Sequence, residues 1–499
     1  MYKMESESMR KKRPNIVFIL SDDQGYYSLG CLKNSQLYTP NLDHMVKEGI
    51  RFSNFFCASP VCSPARASIL TGCIPSCHGV HDWIRAGNIN PEEFDFDDSI
   101  KERYDYMIEQ KAIPYLKDMV TYTDRLKENG YTCALSGKWH LGDSMKSQHG
   151  FSYWYTIGKG GCNYKDPDMV EDGQISFPEK YVTDLITDKA VDFIEELSTQ
   201  ENPFYLSVHY TAPHAPWDPQ HHPEEYLNLY KDCDYSKYYP LKKEHPNATP
   251  WSKQRYHQEN VDDNFRGYEA SITAMDNGIG KIIQKLKDNG VYDNTIIIFT
   301  SDNGFNMGQH GFFGKGNGTY PLNMYEESIR VPFILSYEGL KQKNKVFENI
   351  YSHYDIFPTL LEIGECEGEE NEKQPGQSFW SEALKGIEGG QRSTVIYDEY
   401  GTTRMIRDER YKYVHRYPNG PHELYDLQLD PHEECNIYHN AEYEHIIREL
   451  RSRLIQWFIK YQDPIYDGTK EDVSGLGQLC RSSIYSDLKE TFYPWDEQA

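Results

Sequence analysis

Short apolar runs rich in β-branched residues recur along the chain, and segments with apolar residues at helical spacing lie between them. The runs that predict buried strands are 15–20 (NIVFIL), 131–136, 204–210, 294–301 and 331–337. The segments that predict amphipathic helices are 181–198 and 265–290. Strands that alternate with helices are typical of a mostly parallel or mixed sheet covered by helices on both faces. The pattern therefore predicts a large α/β domain.

The hydrophobic pattern changes near residue 372, where short segments of alternating apolar and polar residues begin. The elements predicted there are strands at 393–400, 403–408 and 410–417 and a helix near 440–461. Segment 364–377 (GECEGEENEKQPGQ) is rich in Gly and Glu and is the best candidate for a linker. We therefore place the large α/β domain at 13–371. A smaller C-terminal α+β domain with an antiparallel sheet is expected at 372–499.

Polar and charged residues follow four of the predicted strands directly. These residues are Asp22, Asp23, Lys138, His140, His214, Asp302 and Asn303. In an open α/β sheet, ligands bind outside the carboxyl ends of the strands. Loops after strands are usually polar. Ordinary turns do not, however, account for three acids, a lysine and two histidines at only four strand ends. We therefore expect these side chains to meet at one edge of the sheet.

The oxygen-bearing members of this group predict a cation site. Asp22, Asp23, Asp302 and Asn303 supply only oxygen donors, which hard cations such as Ca²⁺ and Mg²⁺ prefer. Two adjacent carboxylates also repel each other unless a cation or strong hydrogen-bond donors lie between them. An ordinary helix cap and an Asp-Asn-Gly turn are the alternative interpretation, and composition alone does not separate the two.

The segment VCSPARASILTG (61–72) predicts a short helix with a reactive N-terminus. Ser63 can act as N-cap and Pro64 as the first helical residue, where its missing N–H is not needed. Cys62 then lies just before the positive end of the helix, where anions are favoured. Arg66 in the first turn can bind a tetrahedral oxyanion. A buried structural cysteine is the alternative, but it explains neither the proline nor the arginine.

The order Cys62-Ser63-Pro64-Ala65-Arg66 followed by Thr71-Gly72 resembles the active-site signature of the sulfatase family. Further segments resemble other motifs of that family. They are the paired acids after the first strand, Asp302-Asn303, GKWHLG (137–142), APHAP (212–216), the segment 311–335 with a second lysine at Lys315, and ELYDLQLDPHEECNIY (423–438). The resemblance covers roughly residues 13–460. It implies an alkaline-phosphatase-like fold with a smaller C-terminal domain.

The resemblance also implies a cofactor and a set of catalytic residues. A maturation enzyme would convert Cys62 to formylglycine, whose hydrate would attack the sulfur of a sulfate ester. The implied ligands of a Ca²⁺ ion, with Mg²⁺ as an alternative, are Asp22, Asp23, the modified Cys62, Asp302 and Asn303. The implied catalytic residues are Cys62, Arg66, Lys138, His140, His214 and Lys315.

The resemblance further assigns a role to each catalytic side chain. The cationic groups of Arg66, Lys138 and Lys315 would neutralise the sulfate oxygens. His214 would protonate the leaving alcohol, with Lys315 in support. His140 would take a proton from the second hydroxyl of the hydrate. The implied activity is that of a sulfuric ester hydrolase, an O-sulfatase.

The segment GVHDWIRAGN (79–88) suggests a sugar as the group that carries the sulfate. The candidate contacts in it, His81, Trp83, Arg85 and Asn88, combine a stacking ring with partners for hydroxyl and carboxylate groups. From the smaller domain, Arg404 or His415 could reach over the site. A small sulfated carbohydrate is therefore the expected substrate. An ordered loop in which Trp83 fills a gap in the core is the alternative.

Net charge and composition narrow the range of partners and locations. A formal net charge of −25 argues against nucleic acid and against a long polyanion on the outer surface, while a local cationic pocket can still bind a small anion. No apolar run is long enough to span a membrane, and the N-terminal run IVFIL lacks the h-region and cleavage site of a secretion signal. The 11 cysteines are irregularly spaced and odd in number, which argues against a disulfide framework. We therefore expect a cytoplasmic protein with reduced thiols.

Other activities stay open at this point. A phosphatase or phosphonate monoester hydrolase would use a related sheet, although such enzymes usually need a second cation and more histidine ligands. An arylsulfatase with a non-sugar substrate would use the same catalytic residues. A non-catalytic binding protein would be expected to have lost some of the residues named above, and none is missing. The sequence leaves the oligomeric state open.

Overall fold

The computed structural model describes residues 13–32, 36–93, 109, 111–367, 371–389 and 396–469. The strands are β1 (Asn15–Ser21), β2 (Gly49–Phe56), β3 (Thr132–Gly137), β4 (Phe151–Ile157), β5 (Met169–Glu171), β6 (Gln174–Ser176), β7 (Phe204–His209), β8 (Thr295–Ser301), β9 (Asn306–Met307), β10 (Phe313–Gly314), β11 (Arg330–Ser336), β12 (Lys345–Ser352), β13 (Ile396–Tyr400), β14 (Thr403–Arg407), β15 (Tyr411–Arg416) and β16 (Glu423–Asp426). The helices are α1 (Pro40–Glu48), α2 (Cys62–Thr71), α3 (Pro75–His78), α4 (Tyr122–Glu128), α5 (Val182–Leu197), α6 (Glu224–Leu229), α7 (Pro250–Tyr256), α8 (Asp262–Asp288), α9 (Glu326–Ile329), α10 (Ile356–Ile363), α11 (Trp380–Lys385) and α12 (Glu444–Tyr461).

The large sheet has ten strands in the order β12-β2-β11-β8-β1-β7-β3-β4-β5-β6. Its centre, from β8 to β4, is parallel. Strand β11 runs antiparallel to both of its neighbours, and β5 and β6 form an antiparallel edge. The predicted mixed sheet is therefore confirmed, although the sequence had indicated only half of its strands.

Alternating side chains of β1 anchor two separate hydrophobic cores. Ile16, Phe18 and Leu20 point into the core covered by α2, α4, α10 and α11. Val17 and Ile19 point into the core covered by α1, α5 and α8. This follows from the period of two along a strand, which sends successive side chains to opposite faces. With both faces covered, the carboxyl edge of the parallel strands is where polar groups can gather.

The smaller sheet contains β13 to β16 in consecutive antiparallel order, as predicted. Helix α12 packs against it through Leu450, Leu454 and Phe458. Ala58 and Ile74 of the large α/β unit belong to the same hydrophobic cluster, so the two parts share a core. The predictions made for residues 1–12, 393–395 and 470–499 lie outside the described residues. Within the described part of the chain, no helix combines the length and the apolar character needed to cross a bilayer.

Buried ion pairs also join the smaller sheet to the large unit. The Lys412 ammonium on β15 lies 2.8 Å from Glu326 Oε1 and 2.7 Å from Glu433 Oε1. It also donates a hydrogen bond to the carbonyl of Met324. Arg407 on β14 pairs with the same Glu326 carboxylate at 3.1 Å. Because a buried charge without its partner is strongly destabilising, these contacts fix how the smaller sheet is seated.

Replacement of Lys412 tests this role. We expect Lys412→Met to lower the free energy of unfolding by about 3–5 kcal/mol, because it leaves Glu326 and Glu433 buried without their shared cation. Urea denaturation followed by tryptophan fluorescence measures the change. The matched control is Lys281→Met, since Lys281 is half exposed and lies 3.6 Å from Asp184. Equal urea midpoints for the two variants would contradict the prediction.

Candidate active site

The ends of neighbouring parallel strands bring the acidic residues together. Ser21 and Ser301 are directly paired at the ends of β1 and β8, so Asp22 and Asp302 follow side by side. The backbone N–H of Asp302 donates to the carbonyl of Ser21 at 3.1 Å. That of Asp23 donates to Asp302 Oδ1 at 3.2 Å. These bonds fix the acidic residues at one edge of the sheet before any ligand binds.

Helix α2 brings Cys62 and Arg66 to this edge. The helix begins at Cys62 itself, and its N-cap is the extended residue Val61, which has no side chain able to cap it. The prediction that Ser63 caps the helix is wrong, because its hydroxyl accepts the N–H of Ile84 at 3.0 Å instead. Ser63 thereby ties the helix to the loop that borders the cavity described below.

Two ion pairs hold Asp22 and Asp302. The Lys138 ammonium donates to Asp22 Oδ2 at 2.5 Å. The Arg66 guanidinium donates to Asp302 Oδ2 through Nε at 2.9 Å, and its Nη2 lies 2.8 Å from the same oxygen. Arg66 Nη1 also donates to the carbonyl of Lys138 at 3.0 Å. All four side chains are at most 2% exposed, so water scarcely screens these charges.

A third ion pair links Asp23 to the cysteine. The Lys315 ammonium donates to Asp23 Oδ1 at 2.5 Å and lies 2.8 Å from Cys62 Sγ. Asn303 Nδ2 donates to the same Asp23 oxygen at 2.7 Å. The cysteine also contacts Asp22, whose Oδ1 is 3.5 Å from Sγ. Cys62 therefore lies between a buried acid and a buried base.

The surroundings of Cys62 make its thiol a poor nucleophile. Burial raises the pKa of the Cys62 thiol to about 12, and the Asp22 carboxylate contributes to the shift. Burial alone would also raise the pKa of the Asp22 carboxyl, but Lys138 and the other nearby cationic groups outweigh it and hold that pKa well below its usual value. Because the thiolate is the reactive form of cysteine, this shift disfavours the unmodified side chain as a nucleophile.

The donor set fits a hard divalent cation. Ligand atoms of Asp22, Asp23 and Cys62 lie within 4.8 Å of one another. Asn303 Oδ1 is buried and has no hydrogen-bond partner in the described part of the chain. Such an atom is costly unless something is bound to it. With Asp302 alongside, the site offers the oxygen ligands that Ca²⁺ and Mg²⁺ prefer.

The hydrogen bonds of His140 fix its tautomer. Its Nε2 lies 2.9 Å from the carbonyl of Ile84, so Nε2 carries the hydrogen and donates it. Nδ1 is buried and accepts no hydrogen bond from any described residue. Burial, followed by the nearby positive charge of Lys138, holds the pKa of His140 well below its usual value. The ring is therefore neutral and presents the Nδ1 lone pair as a base.

His214 has one ring nitrogen available for proton transfer. Nδ1 donates to the carbonyl of Ala215 at 2.7 Å. Nε2 lies 3.6 Å from Asp23 Oδ2. The side chain is 33% exposed, which makes it the most accessible of the candidate catalytic groups. A proton on Nε2 can therefore exchange with a molecule in the cavity.

A cavity of about 530 Å³ opens above these groups. The candidate catalytic residues that line it are Cys62, Lys138, His140, His214 and Lys315. Arg66 is not among the described residues that line the cavity. Its guanidinium instead contacts Asp302 and the backbone carbonyl of Lys138. The volume lies in the range of small-molecule sites and fits one or two sugar rings.

Two of the six candidate sugar contacts line the cavity, namely Trp83 and Arg85. Trp83 is 37% exposed, so the alternative in which its ring fills the core is not what the structure has. The smaller sheet holds the loop that carries Trp83, because the Tyr400 hydroxyl donates to Asp82 Oδ1 at 2.8 Å. The same oxygen accepts the N–H of Trp83 at 2.7 Å.

His81 and Asn88 are not part of the described lining of the cavity. His81 Nε2 lies 2.9 Å from the carbonyl of Tyr466. Asn88 Nδ2 donates to Glu109 Oε1 at 2.7 Å. Both side chains are almost fully buried and hold neighbouring segments in place, so their prediction as sugar contacts is corrected to a structural role.

Arg404 and His415 are likewise absent from the described lining. The Arg404 guanidinium donates to Glu399 Oε1 at 3.0 Å and lies 3.6 Å from the centre of the Phe458 ring. His415 stacks on His422 at 4.2 Å between ring centres. These contacts lie within the smaller domain and explain why neither side chain reaches over the site.

One wall of the cavity was not expected from the sequence. It is formed by residues 159–163 together with Asp168. A Cβ atom at Gly160 would lie 2.0 Å from His140 Nε2, so any side chain there would displace the His140 ring. The signal was present as Gly-Lys-Gly-Gly directly after a β-branched and aromatic run, where glycine marks close backbone approach.

Comparisons with known proteins agree with this geometry. Residues 14–365 match the family Sulfatase, and residues 308–460 match the C-terminal region of N-sulphoglucosamine sulphohydrolase. An N-acetylglucosamine-6-O-sulfatase of Bacteroides thetaiotaomicron is 28% identical, with 91% of this chain and 87% of the relative covered. A solved structure in complex with its substrate D-glucosamine-2-N,6-O-disulfate is 25% identical, with a TM-score of 0.72 over 92% of this chain and 100% of that chain.

A phosphonate monoester hydrolase of Agrobacterium radiobacter is also similar in structure. Its TM-score is 0.67 over 90% of this chain and 96% of that chain, at 21% identity. At that identity the likeness indicates a shared fold alone. The family match, by contrast, covers more than half of the 499 residues, including every candidate catalytic and cation-binding residue. This chain belongs to the sulfatase family.

Proposed function

We propose that this protein hydrolyses the sulfate ester of a small carbohydrate, with a formylglycine formed from Cys62. The observation that carries the proposal is the position of Cys62. Its Sγ lies at the base of the cavity, 2.8 Å from the Lys315 ammonium and 3.5 Å from the Asp22 carboxylate. Members of the sulfatase family use a metal ion and a formylglycine, and both fit this position.

Conversion of Cys62 to formylglycine removes the need for a reactive thiol at this position. A cysteine whose pKa is raised to about 12 is protonated at neutral pH and offers no nucleophile. The hydrate of formylglycine supplies the attacking hydroxyl and a second hydroxyl from which the aldehyde can be restored. A formylglycine-generating enzyme is therefore the one protein partner that the proposal requires.

The metal is proposed to be Ca²⁺, held by Asp22, Asp23, Asp302 and the free Oδ1 of Asn303. When bound, the cation supplies positive charge next to the reacting sulfate. In the protein alone, the three carboxylates are balanced by Arg66, Lys138 and Lys315. A divalent ion therefore leaves the pocket with an excess of positive charge, which suits a sulfate monoester.

Lys138 and Lys315 bind the sulfate oxygens, because both ammonium groups line the cavity. Arg66 positions Lys138 and Asp302. His214 Nε2 gives a proton to the leaving sugar oxygen. His140 Nδ1 accepts a proton when the sulfate is released, since Nε2 is committed to the carbonyl of Ile84.

A carbohydrate is favoured over an aryl group by the walls of the cavity and by the relatives. The relatives named above include an N-acetylglucosamine-6-O-sulfatase and a structure with a disulfated glucosamine. Trp83 supplies a partly exposed ring, on which sugars stack. The net charge of −25 opposes a long polyanion, so a mono- or oligosaccharide is the proposed substrate class.

The proposed function is tested with protein produced together with a formylglycine-generating enzyme. We expect the peptide that carries residue 62 to be about 18 Da lighter than its cysteine form, because an aldehyde replaces the thiol. Specific activity on a panel of sulfated monosaccharides should rise with the converted fraction, as measured by peptide mass spectrometry and sulfate release.

Two variants complete this test. Cys62→Ala should release no sulfate, whereas Cys435→Ser, at an exposed thiol, should behave as the unaltered protein. Converted protein that cleaves 4-nitrophenyl sulfate but no sugar sulfate would overturn the carbohydrate assignment. Activity on phosphate or phosphonate esters alone would overturn the sulfatase assignment.

Removal of the metal tests the cation site. We expect a chelator to abolish sulfate release and Ca²⁺ to restore it better than Mg²⁺. The reason is that Ca²⁺ accepts many oxygen ligands in flexible geometry, whereas Mg²⁺ retains its waters. Elemental analysis measures the metal content of each sample, and the assay measures its sulfate release. Full activity in protein whose metal content has fallen to background would contradict the prediction.

A comparison of substrates with different leaving groups tests the role of His214. We expect His214→Gln to lower kcat/KM for a sugar sulfate by about 100- to 10,000-fold, because an alcohol leaves poorly without a proton. The loss should be far smaller for 4-nitrophenyl sulfate, whose leaving group is stable as an anion. His221→Gln is the matched control, since His221 lies outside the described lining of the cavity. Equal losses on both substrates would contradict the assignment.

A further inference from the structure

We propose that His310, Glu327 and Glu433 form a second cation site, which binds a divalent transition metal ion and suits Zn²⁺ best. One ligand atom from each of these side chains lies within 4.8 Å of the other two. The site is separate from the cation site at Cys62, and it uses no residue that the proposed sulfate hydrolysis requires. The inference therefore goes beyond the proposed function and does not depend on it.

The backbone supports His310 and Glu327 from two sides. His310 lies in the turn between β9 and β10, which pair as antiparallel strands. Glu327 lies in α9. Nδ2 of Asn306 in β9 donates to Oγ of Ser328 in α9 at 2.7 Å, so the turn and the helix are joined next to the site. The His310 ring also stacks on Tyr325, with 3.8 Å between the ring centres, and this contact orients the imidazole.

Glu433 brings the smaller domain to the same point. It follows β16, and its side chain is almost fully buried. Its Oε2 accepts the backbone N–H of Glu326 at 2.7 Å. Because Glu326 directly precedes Glu327, this bond places the two ligand carboxylates next to each other. A metal ion held by all three ligands would therefore join the smaller domain to the large α/β unit.

The spacing of the ligand atoms is close to that around a zinc ion. His310 Nε2 lies 2.9 Å from Glu327 Oε2. Two ligands about 2.0 Å from a tetrahedral Zn²⁺ lie about 3.3 Å from each other. The ion can therefore take the place of the hydrogen that this pair shares, since metal binding releases protons from its ligands. A small rotation of the Glu433 side chain then closes the remaining distance.

The Glu433 carboxylate lacks enough positive charge around it. Lys412 Nζ lies 2.7 Å from Oε1 as an ion pair, but no described residue makes a directed hydrogen bond to this buried oxygen. Burial raises the pKa of the Glu433 carboxyl to about 7, although the ammonium opposes the shift. The site at Cys62 has the same arrangement, because Asp22 pairs with Lys138 and is also a candidate cation ligand. A divalent ion would supply the missing charge.

The ligand types select the metal. One imidazole nitrogen and two carboxylates suit Zn²⁺, whereas Ca²⁺ takes about six to eight oxygen ligands. His310 and Glu327 also line a second cavity of about 490 Å³. An ion can enter through this cavity, and water from it can complete the coordination. The protein is therefore expected to hold cations of two different classes at two separate places.

Titration of the full-length protein with Zn²⁺ tests the site. The protein is first saturated with Ca²⁺, so that the cation site at Cys62 is filled. We expect calorimetry to show one Zn²⁺ bound per chain, with an affinity at least about 10- to 100-fold lower in His310→Gln and in Glu327→Gln. Losses of this size already follow the removal of a group that only supports a metal ligand.

The matched control is His257→Gln. His257 Nε2 lies 2.5 Å from Glu244 Oε2 at the surface, and this pair belongs to no metal-binding group of the described residues. The control should bind Zn²⁺ as the unaltered protein does. Zn²⁺ should also raise the melting temperature of the unaltered protein and of the control, but not that of the two ligand variants.

A spectrum of the unaltered protein tests the same site without any substitution. We expect Co²⁺, used in place of Zn²⁺, to give visible absorption without the charge-transfer band of a thiolate ligand. This measurement decides the question if both ligand variants fail to fold, as judged by thermal melting without metal. A thiolate band would place the ion on cysteine side chains and overturn the inference.

The remaining outcomes also decide the inference. Equal Zn²⁺ affinity in His310→Gln and His257→Gln would overturn it, and so would the absence of Zn²⁺ binding in the presence of Ca²⁺. None of these results bears on sulfate release, which depends on Cys62 and its neighbours. Failure of the second cation site and failure of the proposed function are therefore distinguishable.

Discussion

Three carboxylates and three cationic side chains are buried together at the carboxyl edge of the sheet, and each pair joins different segments of the chain. The pairs are Lys138–Asp22, Arg66–Asp302 and Lys315–Asp23. A charge buried without its partner is strongly destabilising, so these segments must close on one another for the chain to fold. The paired residues lie 116, 236 and 292 positions apart in the sequence, and Cys62 contacts members of two of the pairs.

The same balance of charge prepares the site for its chemistry. The cationic groups are oriented by carboxylates before a sulfate enters, so little reorganisation accompanies binding or reaction. Arg66 is one group that holds other site residues in place. It contacts Asp302 and the Lys138 backbone and is not part of the described lining of the cavity.

Local rules were enough to predict the base of the site, but not its walls. Parallel strands end together, so Asp22 and Asp302 could be placed side by side from two apolar runs. No local pattern indicates that His81 meets Tyr466, 385 residues away. The sequence also does not indicate that β11 runs antiparallel to its neighbours, because tertiary structure determines which strands pair.

The close approach of Gly160 to His140 limits how this wall of the cavity can change. A side chain at position 160 would meet the His140 ring, so none can be added there without moving the imidazole. Residues 159, 163 and 168 line the same cavity and carry side chains, so a change in the shape of this wall falls on such positions and not on the glycine.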